Sequence, residues 1–405
     1  MTLVSFSQEG TSSPYSFYGI GDAKFNGTLE DRSMGGISIS QDSTHINLQN
    51  PAGLANLKWT TFTIGAGSNY TKQKSGSESG KAQKTTLDYL TLGMPLGKKF
   101  GGAFGLIPYS SVGYRIENIS PDGIENSKRF NGWGGLNRAF MGFGYNILPN
   151  LNIGVSAYYN FGKIQSNSLE FIPTVPIGTR ELNSANLSGV NFNIGLMYKT
   201  KITEKLSVLT SLYYIPGSTL KSESTRNIAT VSYNSNFDLQ VVDAAEEQTA
   251  KTDLLLPKKL TFGAGVGDSK KWLLGGEFAY QGVAVLANNY NTLDDVTYGR
   301  YKRYSVGGYY TPNSNPFSSY LQRITYRGGF KFENTGLIVN STSINDASLT
   351  FGMGLPITGS LSNLNVGLEY GQKGTTSNNL VQENYFNINL SFSLNDKWFV
   401  KRKFF

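Results

Sequence analysis

The sequence predicts an all-β protein: a 14-stranded antiparallel transmembrane β-barrel with an N-terminal hatch inside its lumen. Three observations carry this. From Trp59 onward, apolar and polar residues alternate with a period of two, as in strands with one apolar face. The connections between the alternating segments are by turns short and long. No stretch approaches the roughly 18 consecutive apolar residues of a transmembrane helix, and Leu254-Leu255-Leu256 is stopped by Pro257.

Composition agrees with many short aromatic strands. The 405 residues include 47 Gly, 24 Tyr and 24 Phe, only 16% are charged, and none is Cys. Without cysteine there is neither a disulfide framework nor a thiolate metal site, and His45, the only histidine, cannot form an imidazole cluster. No metal or cofactor is expected. In a polar loop His45 reads as a solvated side chain.

Residues 1–7 read as a signal-peptide remnant or a disordered terminus. Ser5-Phe6-Ser7 has the small-x-small form that precedes a signal-peptidase cut, which would leave Gln8 as the first mature residue. Residues 8–58 lack any sustained period but carry apolar anchors, among them Tyr15, Phe17, Ile20, Met34 and Ile39, in a Gly/Ser/Asn background. Such a segment is too apolar for a linker and too irregular for a core of its own, so it should pack inside something else. It ends in Asn50-Pro51-Ala52-Gly53, where proline holds Asn50 extended and glycine tolerates positive φ.

Residues 59–394 form the barrel. Strands are expected at 60–70, 86–96, 100–114, 136–147, 151–163, 187–199, 206–219, 259–266, 272–283, 301–311, 324–333, 348–356, 363–371 and 385–394. Six short turns and seven long polar loops join them, the longest loop covering 220–258. Short turns at one end and long loops at the other are how outer-membrane barrels are built, and strands of about ten residues suffice to cross the hydrocarbon. Satisfying the backbone in lipid requires the sheet to close.

The two faces differ in chemistry. Ile324, Tyr326, Phe330 and Phe332 can meet lipid, whereas Arg323, Arg327, Lys331 and Glu333 on the alternate positions belong in the lumen. Glu277, Gln281 and Glu369 likewise point inward and join these bases in a lumen polar network. A catalytic reading of the carboxylates is the weaker one, and the lone histidine has no Ser/Asp arrangement beside it, so no enzyme is expected.

The net charge of +8 is concentrated on the short-turn side and on the basic, aromatic tail 395–405. Lys98, Lys99, Lys199, Lys201, Lys205, Lys270, Lys271, Lys397, Lys401, Arg402 and Lys403 face only Glu204, Asp268 and Asp396 there. Lysines at that level can hold anionic lipid headgroups of the outer membrane. With no basic helix and no aromatic-interleaved basic patch, nucleic acid is not an expected partner. Phe404-Phe405 at the end suits a signal read by outer-membrane insertion machinery, or an incidental apolar end.

Taken together, Asn50-Pro51-Ala52-Gly53 just before the first strand, Ser13–Asp22, Arg32–Gly36, Arg323–Phe330, Glu383–Phe386 and Trp398-Phe399 resemble the FadL/TodX family of outer-membrane transport proteins, in its Bacteroidetes-type branch. The resemblance covers the whole chain. It implies a hatch that fills the lumen, and passive movement of hydrophobic compounds that enter from outside and leave sideways beside a kinked third strand. Gly101, Gly102 and Pro108 are the candidates for that strand; Pro108 either kinks it or merely ends its regular part.

In the longest loop, Phe237, Val241 and Val242 could lie on a short amphipathic helix as an apolar surface site, or simply pack the loop. The inward set is mostly Gly, Ser, Thr, Asn and charged residues, unlike a greasy channel. Two functions follow from the resemblance. One is passive uptake of a fatty-acid-like or aromatic small molecule through a hatch-gated barrel. The other is an accessory barrel of a protein secretion or assembly complex, a PorV-like role with outer-membrane or periplasmic protein partners.

Overall fold

In the computed structural model, residues 10–76, 78–118, 126–173, 175–268, 271–284, 295–313 and 315–397 are described. The chain terminus 1–9, with its expected cleavage site, and the end of the tail, with Trp398-Phe399 and Phe404-Phe405, lie outside them. The strands form one antiparallel sheet that closes on itself as a 14-stranded barrel.

Its strands are β1 (Thr60–Ser75), β2 (Glu78–Pro95), β3 (Phe100–Asn118), β4 (Ser127–Leu148), β5 (Leu151–Phe171), β6 (Ile177–Lys201) and β7 (Ser207–Ile215, continued by Ser218–Tyr233). There follow β8 (Gln248–Leu256, continued by Lys259–Asp268), β9 (Trp272–Val283), β10 (Arg300–Tyr310), β11 (Thr325–Val339), β12 (Thr342–Pro356), β13 (Asn363–Lys373) and β14 (Gln382–Asp396). Closure is between β14 and β1, from Gln382 opposite Lys74 to Asp396 opposite Thr60.

Every expected strand is present, but most are longer than their apolar alternation. Much of what reads as long polar loop is strand: β1 and β2 run on to the turn at Gly76, β5 and β6 reach Phe171 and Ile177, and β11 and β12 meet near Asn340. Above the membrane both faces of a hairpin meet water. The alternation that marks a strand therefore disappears while the ladder continues. Likewise β14 runs to Asp396, two residues into the expected tail.

The faces sort as their chemistry requires. Outward residues such as Phe192, Ile194, Phe351 and Leu390 are about half exposed in the isolated chain, a surface that lipid covers. Inward residues between them, including Asn193, Thr350, Asn389 and Ser391, are buried. Ile324 is an exception to the expected lipid face. It caps the helical turn Tyr320–Arg323 and is buried, because β11 begins only at Thr325.

Two strands are broken side by side. Pro216-Gly217 interrupts β7 and Pro257-Lys258 interrupts β8, at the level where Leu256 lies opposite Ser218 and Lys259 opposite Ile215. Proline cannot donate to the ladder, so it is interrupted here; β7 and β8 keep their mutual register across the break, while β7 slips by one residue against β6.

Residues 10–58 run down the inside of the barrel from the long-loop end to the short-turn end. They contain little regular structure: short 3-10 turns at Pro14–Phe17 and Pro51–Asn56, the helical turn Leu29–Arg32 and a two-residue strand, Asp22–Ala23. Met34, Ile37 and Ile39 pack against Leu209 and Leu273 on the inner wall, and Ile46, Leu48, Leu54 and Leu57 against Tyr89, Ile107, Phe140 and Tyr158. The aperiodic anchors thus find their core in the barrel's inner face.

The expected helix around Phe237, Val241 and Val242 is absent. Asn234 makes a turn in which its side chain accepts from the amides of Asn236 and Asp238, both at 2.9 Å. Strand Leu239–Ala244 then folds back on β7. Phe237 is 85% exposed and Val241 and Val242 are exposed too, so the three lie on the loop surface without the helix.

Candidate functional site

Asn50-Pro51-Ala52-Gly53 sits inside the barrel, docked on β3 to β7. Asn50 is extended (φ −115°, ψ 109°), as a residue before proline should be, and its Oδ1 accepts from the Ala52 amide at 3.0 Å. Its Nδ2 donates outward, to Ser211 Oγ at 2.8 Å and to the Leu196 carbonyl at 3.1 Å. Asn193 Nδ2 donates to the Gln49 carbonyl at 2.7 Å. One side chain therefore caps the 3-10 turn and ties it to two strands of the wall.

Glycines make room for this turn. A Cβ at Gly101, Gly144, Gly154 or Gly195 would overlap Leu54, Ala55, Pro51 or Asn50 respectively. Gly101 and Gly102, expected at a lateral opening, instead lie in an intact ladder opposite Pro95 and Met94, with Gly101 serving as part of this cradle. The signal was present in the sequence as glycine at inward positions of four neighbouring strands.

Above the turn, ion pairs line the lumen wall, and those of Arg32 and Asp22 tie the N-terminal segment to it. Arg303 Nη2 meets Glu277 Oε1 at 2.6 Å with side-chain exposures of 5% and 0%, and Glu277 Oε2 accepts from both the Ser38 amide (2.9 Å) and Ser38 Oγ (2.7 Å). Arg32 bridges Glu369 (2.9 Å) and Asp88 (3.4 Å). Lys331 pairs with Asp346 at 3.1 Å and lies 3.7 Å from Glu369, while Lys373 pairs with Asp22.

Of the expected polar network, Lys331 and Glu369 meet each other, and Glu277 lies apart from them in its own pair with Arg303. Gln281 and Glu333 face the cavity above them. Arg327 donates to Asn365 Oδ1 at 3.2 Å nearer the short-turn end. Arg323 is displaced from the network, because its residue lies in the helical turn before β11, with its guanidinium 5.4 Å from the Tyr320 ring.

His45 is not solvated. Its Nδ1 is 2.7 Å from Asp42 Oδ2 and its Nε2 is 3.4 Å from Glu30 Oε1. Burial pulls the imidazole pKa down, Asp42 and Glu30 pull it up, and the two carboxylates win, so the pKa is raised. For Asp31, burial followed by the charges of Glu30 and Glu277 raises the pKa well above the usual carboxylate range.

Among the described residues, the wall has a gap between β2 and β3. The β2–β3 ladder runs only from Pro95–Gly101 to Leu90–Leu106. Beyond it the register of β3 against β4 slips between Pro108 and Ser110, and Ser110–Tyr114 are all buried, so that both faces of β3 are covered there. Pro108 therefore kinks the strand. The free edge of β3 pairs with the N-terminal segment, Asp22 with Ser111 and Ala23 with Ser110, and the Lys24 amide donates to the Tyr109 carbonyl at 3.0 Å.

Phe17 packs edge-on to Tyr114 at 5.0 Å beside this seam, and Gly21, at φ +92°, makes the bend that only glycine takes easily. The segment thus supplies the strand that β2 withholds.

Two cavities lie on either side of the helical turn Leu29–Arg32. One, of about 430 Å³, opens toward the long loops and the gap and is lined by Arg32 and Gly35. The other, of about 550 Å³, opens at the short turns and is lined by Glu30, Asp31 and Met34. They share no lining residue.

A profile of the BamG family matches residues 1–405, the whole chain. The chain belongs to the BamG family. No characterised protein matches this BamG-family chain by sequence alone. Solved structures share its fold: the Ralstonia pickettii toluene transporter TbuX (14% identity, 92% of this chain and 99% of that one, TM-score 0.60) and the Pseudomonas putida toluene transporter TodX (16%, 93% and 99%, 0.60). A Pseudomonas aeruginosa FadL homologue is similar at 12% identity, 91% and 97% coverage and TM-score 0.59. The BamG-family chain therefore has the 14-stranded barrel fold of the TbuX, TodX and FadL-homologue structures.

Proposed function

We propose that this barrel is a non-transporting subunit of an outer-membrane protein secretion or assembly complex, reached by export through the periplasm and working without covalent chemistry. The observation that carries this reading is the plugged, charged lumen. The turn Leu29–Arg32 parts two cavities that share no lining residue, the ion pairs of Arg32 and Lys373 tie the N-terminal segment to the wall, and Arg303–Glu277 and Lys331–Asp346 line that wall with charge where a hydrophobic compound would have to pass. Desolvated charges of that kind are a poor path for an apolar solute.

At the short-turn end, Phe317 is 97% and Leu321 69% exposed on the connection between β10 and β11, which supports a periplasmic or outer-membrane protein partner there. The resemblance of Ser13–Asp22 and Arg323–Phe330 to the Bacteroidetes-type branch of FadL-like barrels supports a source organism of that type.

The second reading, hatch-gated passive uptake of a fatty-acid-like or aromatic compound with lateral exit, is favoured by the gap between β2 and β3 and by the fold shared with two toluene transporters. It requires Asp22–Lys24 to leave the edge of β3.

A disulfide separates the two readings. Ala23 and Ser110 are directly opposed, and opposed Cβ atoms in an antiparallel pair lie about 4.5–5.5 Å apart, close to disulfide reach. The chain has no cysteine, so A23C/S110C adds its only thiols. The oxidised variant is expected to support growth and outer-membrane biogenesis as the wild type does, with unchanged uptake of toluene and long-chain fatty acid. Loss of uptake on oxidation, restored by a reductant, would overturn the subunit reading in favour of lateral exit.

A further inference from the structure

Six charged side chains line the cavity that opens at the short turns: Glu30, Asp31, Asp42 and His45 from the N-terminal segment, and Arg323 and Arg327 from the wall. Among the described residues no ion pair joins the two groups. His45 stays with its own segment, 2.7 Å from Asp42 Oδ2 and 3.4 Å from Glu30 Oε1. A neutral amide stands between Glu30 and Arg327: Asn365 Nδ2 donates to Glu30 Oε1 at 2.9 Å, and Asn365 Oδ1 accepts from Arg327 Nη1 at 3.2 Å. Arg323 lies over the Tyr320 ring.

The polar atoms left over are of both kinds. Glu30 is 5% and Asp31 6% exposed, yet Glu30 Oε2 and Asp31 Oδ2 are buried without a hydrogen-bond partner among the described residues, even though Gln49 also reaches Asp31. Arg323 Nε is buried without an acceptor in the same way. A carboxylate oxygen or guanidinium N–H taken out of water and left unmet keeps its full desolvation cost, and no single ion can meet both signs.

The two signs are also set apart along the barrel. Glu30 and Asp31 sit on the helical turn that closes the inner end of the cavity, and Arg323 sits in the turn before β11, at the short-turn end. Tyr309, Ile357 and Leu361 add apolar wall, and the volume of about 550 Å³ is that of a small-ligand site. A free cation would leave the guanidiniums unmet, and a free anion the carboxylates. A ligand with a cationic group at one end, a carboxylate at the other and an apolar middle meets all of them, and arginine takes such a carboxylate through two parallel N–H···O bonds.

We propose that the short-turn cavity binds a short stretch of peptide bearing charges of both signs, with an ammonium or guanidinium group at Glu30 and Asp31 and a carboxylate at Arg323 and Arg327. A free peptide and an exposed segment of a larger protein present the same chemistry to this mouth. The site stands whether the barrel transports or not.

The test is calorimetric titration of the full-length protein, purified in a non-ionic detergent, with end-blocked peptides in which one lysine and one glutamate, in either order, are separated by one to three alanines. Each is used alone and centred in a longer chain of alanine and serine. Saturable one-to-one binding of at least one probe is expected, weakened about tenfold or more when its lysine becomes norleucine or its glutamate becomes glutamine, as loss of a hydrogen-bonded charge contact should do. E30Q should remove the sensitivity to the lysine and keep that to the glutamate, and R323Q the reverse, a crossed pattern that a merely structural effect of either substitution does not produce. Binding of the short probes identifies a free peptide, and binding of the long ones alone a protein segment; either result supports the site. Should E30Q fail to give the heat-modifiable band of a folded barrel, R323Q decides alone. No binding of any probe at millimolar concentration, or binding indifferent to both charges, would overturn the proposal.

Discussion

Replacing Glu277 by glutamine is expected to lower the stability of the plugged barrel by about 3–5 kcal/mol, the usual cost of removing one partner from a buried ion pair. The carboxylate side chain is fully buried and serves three donors at once, Arg303 Nη2, the Ser38 amide and Ser38 Oγ. Glutamine keeps the shape but leaves the Arg303 guanidinium charged in a desolvated site, with the neutral Gln49 Oε1 at 3.5 Å. Its effect reaches the N-terminal segment, because Ser38 is how residues 37–40 are held to β9. Urea unfolding in detergent, followed by the loss of the heat-modifiable band, should show the midpoint falling. The double variant E277L/R303M should recover most of the loss, since an apolar pair of similar volume leaves no charge uncompensated.

Gly195→Val is expected to expel the Asn50–Gly53 turn from the wall. Valine's Cβ would occupy the place of Asn50 Oδ1 and crowd the Pro51 ring, and both belong to backbone that is pinned on either side by Asn193 and Ser211. Overpacking of a tight site costs about 1–3 kcal/mol. Displacing Asn50 also leaves three of its hydrogen bonds unmade, each worth about 1 kcal/mol net. Because β6 continues to pair with β5 and β7 through this position, the barrel itself should still form. Limited proteolysis from the short-turn end should therefore cut between residues 45 and 58 in the variant and not in the wild type, and single-channel recordings should show larger and more frequent openings. Unchanged protection would mean that the glycine cradle does not hold the turn.

The barrel was legible because a membrane imposes one rule along the whole chain: the outer residue of each pair must be apolar. Phe192/Ile194/Leu196 against Asn191/Asn193/Gly195 states strand, face and register together. Where the membrane ends, the rule ends. Residues 71–75 and 165–171 are strand without announcing it, and Ile324 looks lipid-facing although the turn before β11 has already buried it.

The lumen was only half legible for a related reason. Inward carboxylates such as Glu277 and Glu369 stand out against glycine and serine, but their partners Arg303 and Arg32 come from a neighbouring strand and from the aperiodic segment, and alternation says nothing about who meets whom inside the barrel. His45 read as solvated because nothing local to it shows that Glu30 folds back over its ring. Pro108 did announce the kink, since a missing donor has a consequence in any ladder. That the N-terminal segment fills the resulting gap could not be read, because Asp22-Ala23 carries no strand pattern of its own.

Purification of the tagged chain from its native outer membrane in a mild detergent, followed by a density map of the particle, tests the central reading most directly. A plugged barrel held in fixed proportion to other outer-membrane or periplasmic proteins, with density against the Phe317–Leu321 connection, is the predicted result. A solitary barrel with a hydrophobic compound in its lumen and the edge of β3 released from Asp22–Lys24 would contradict it.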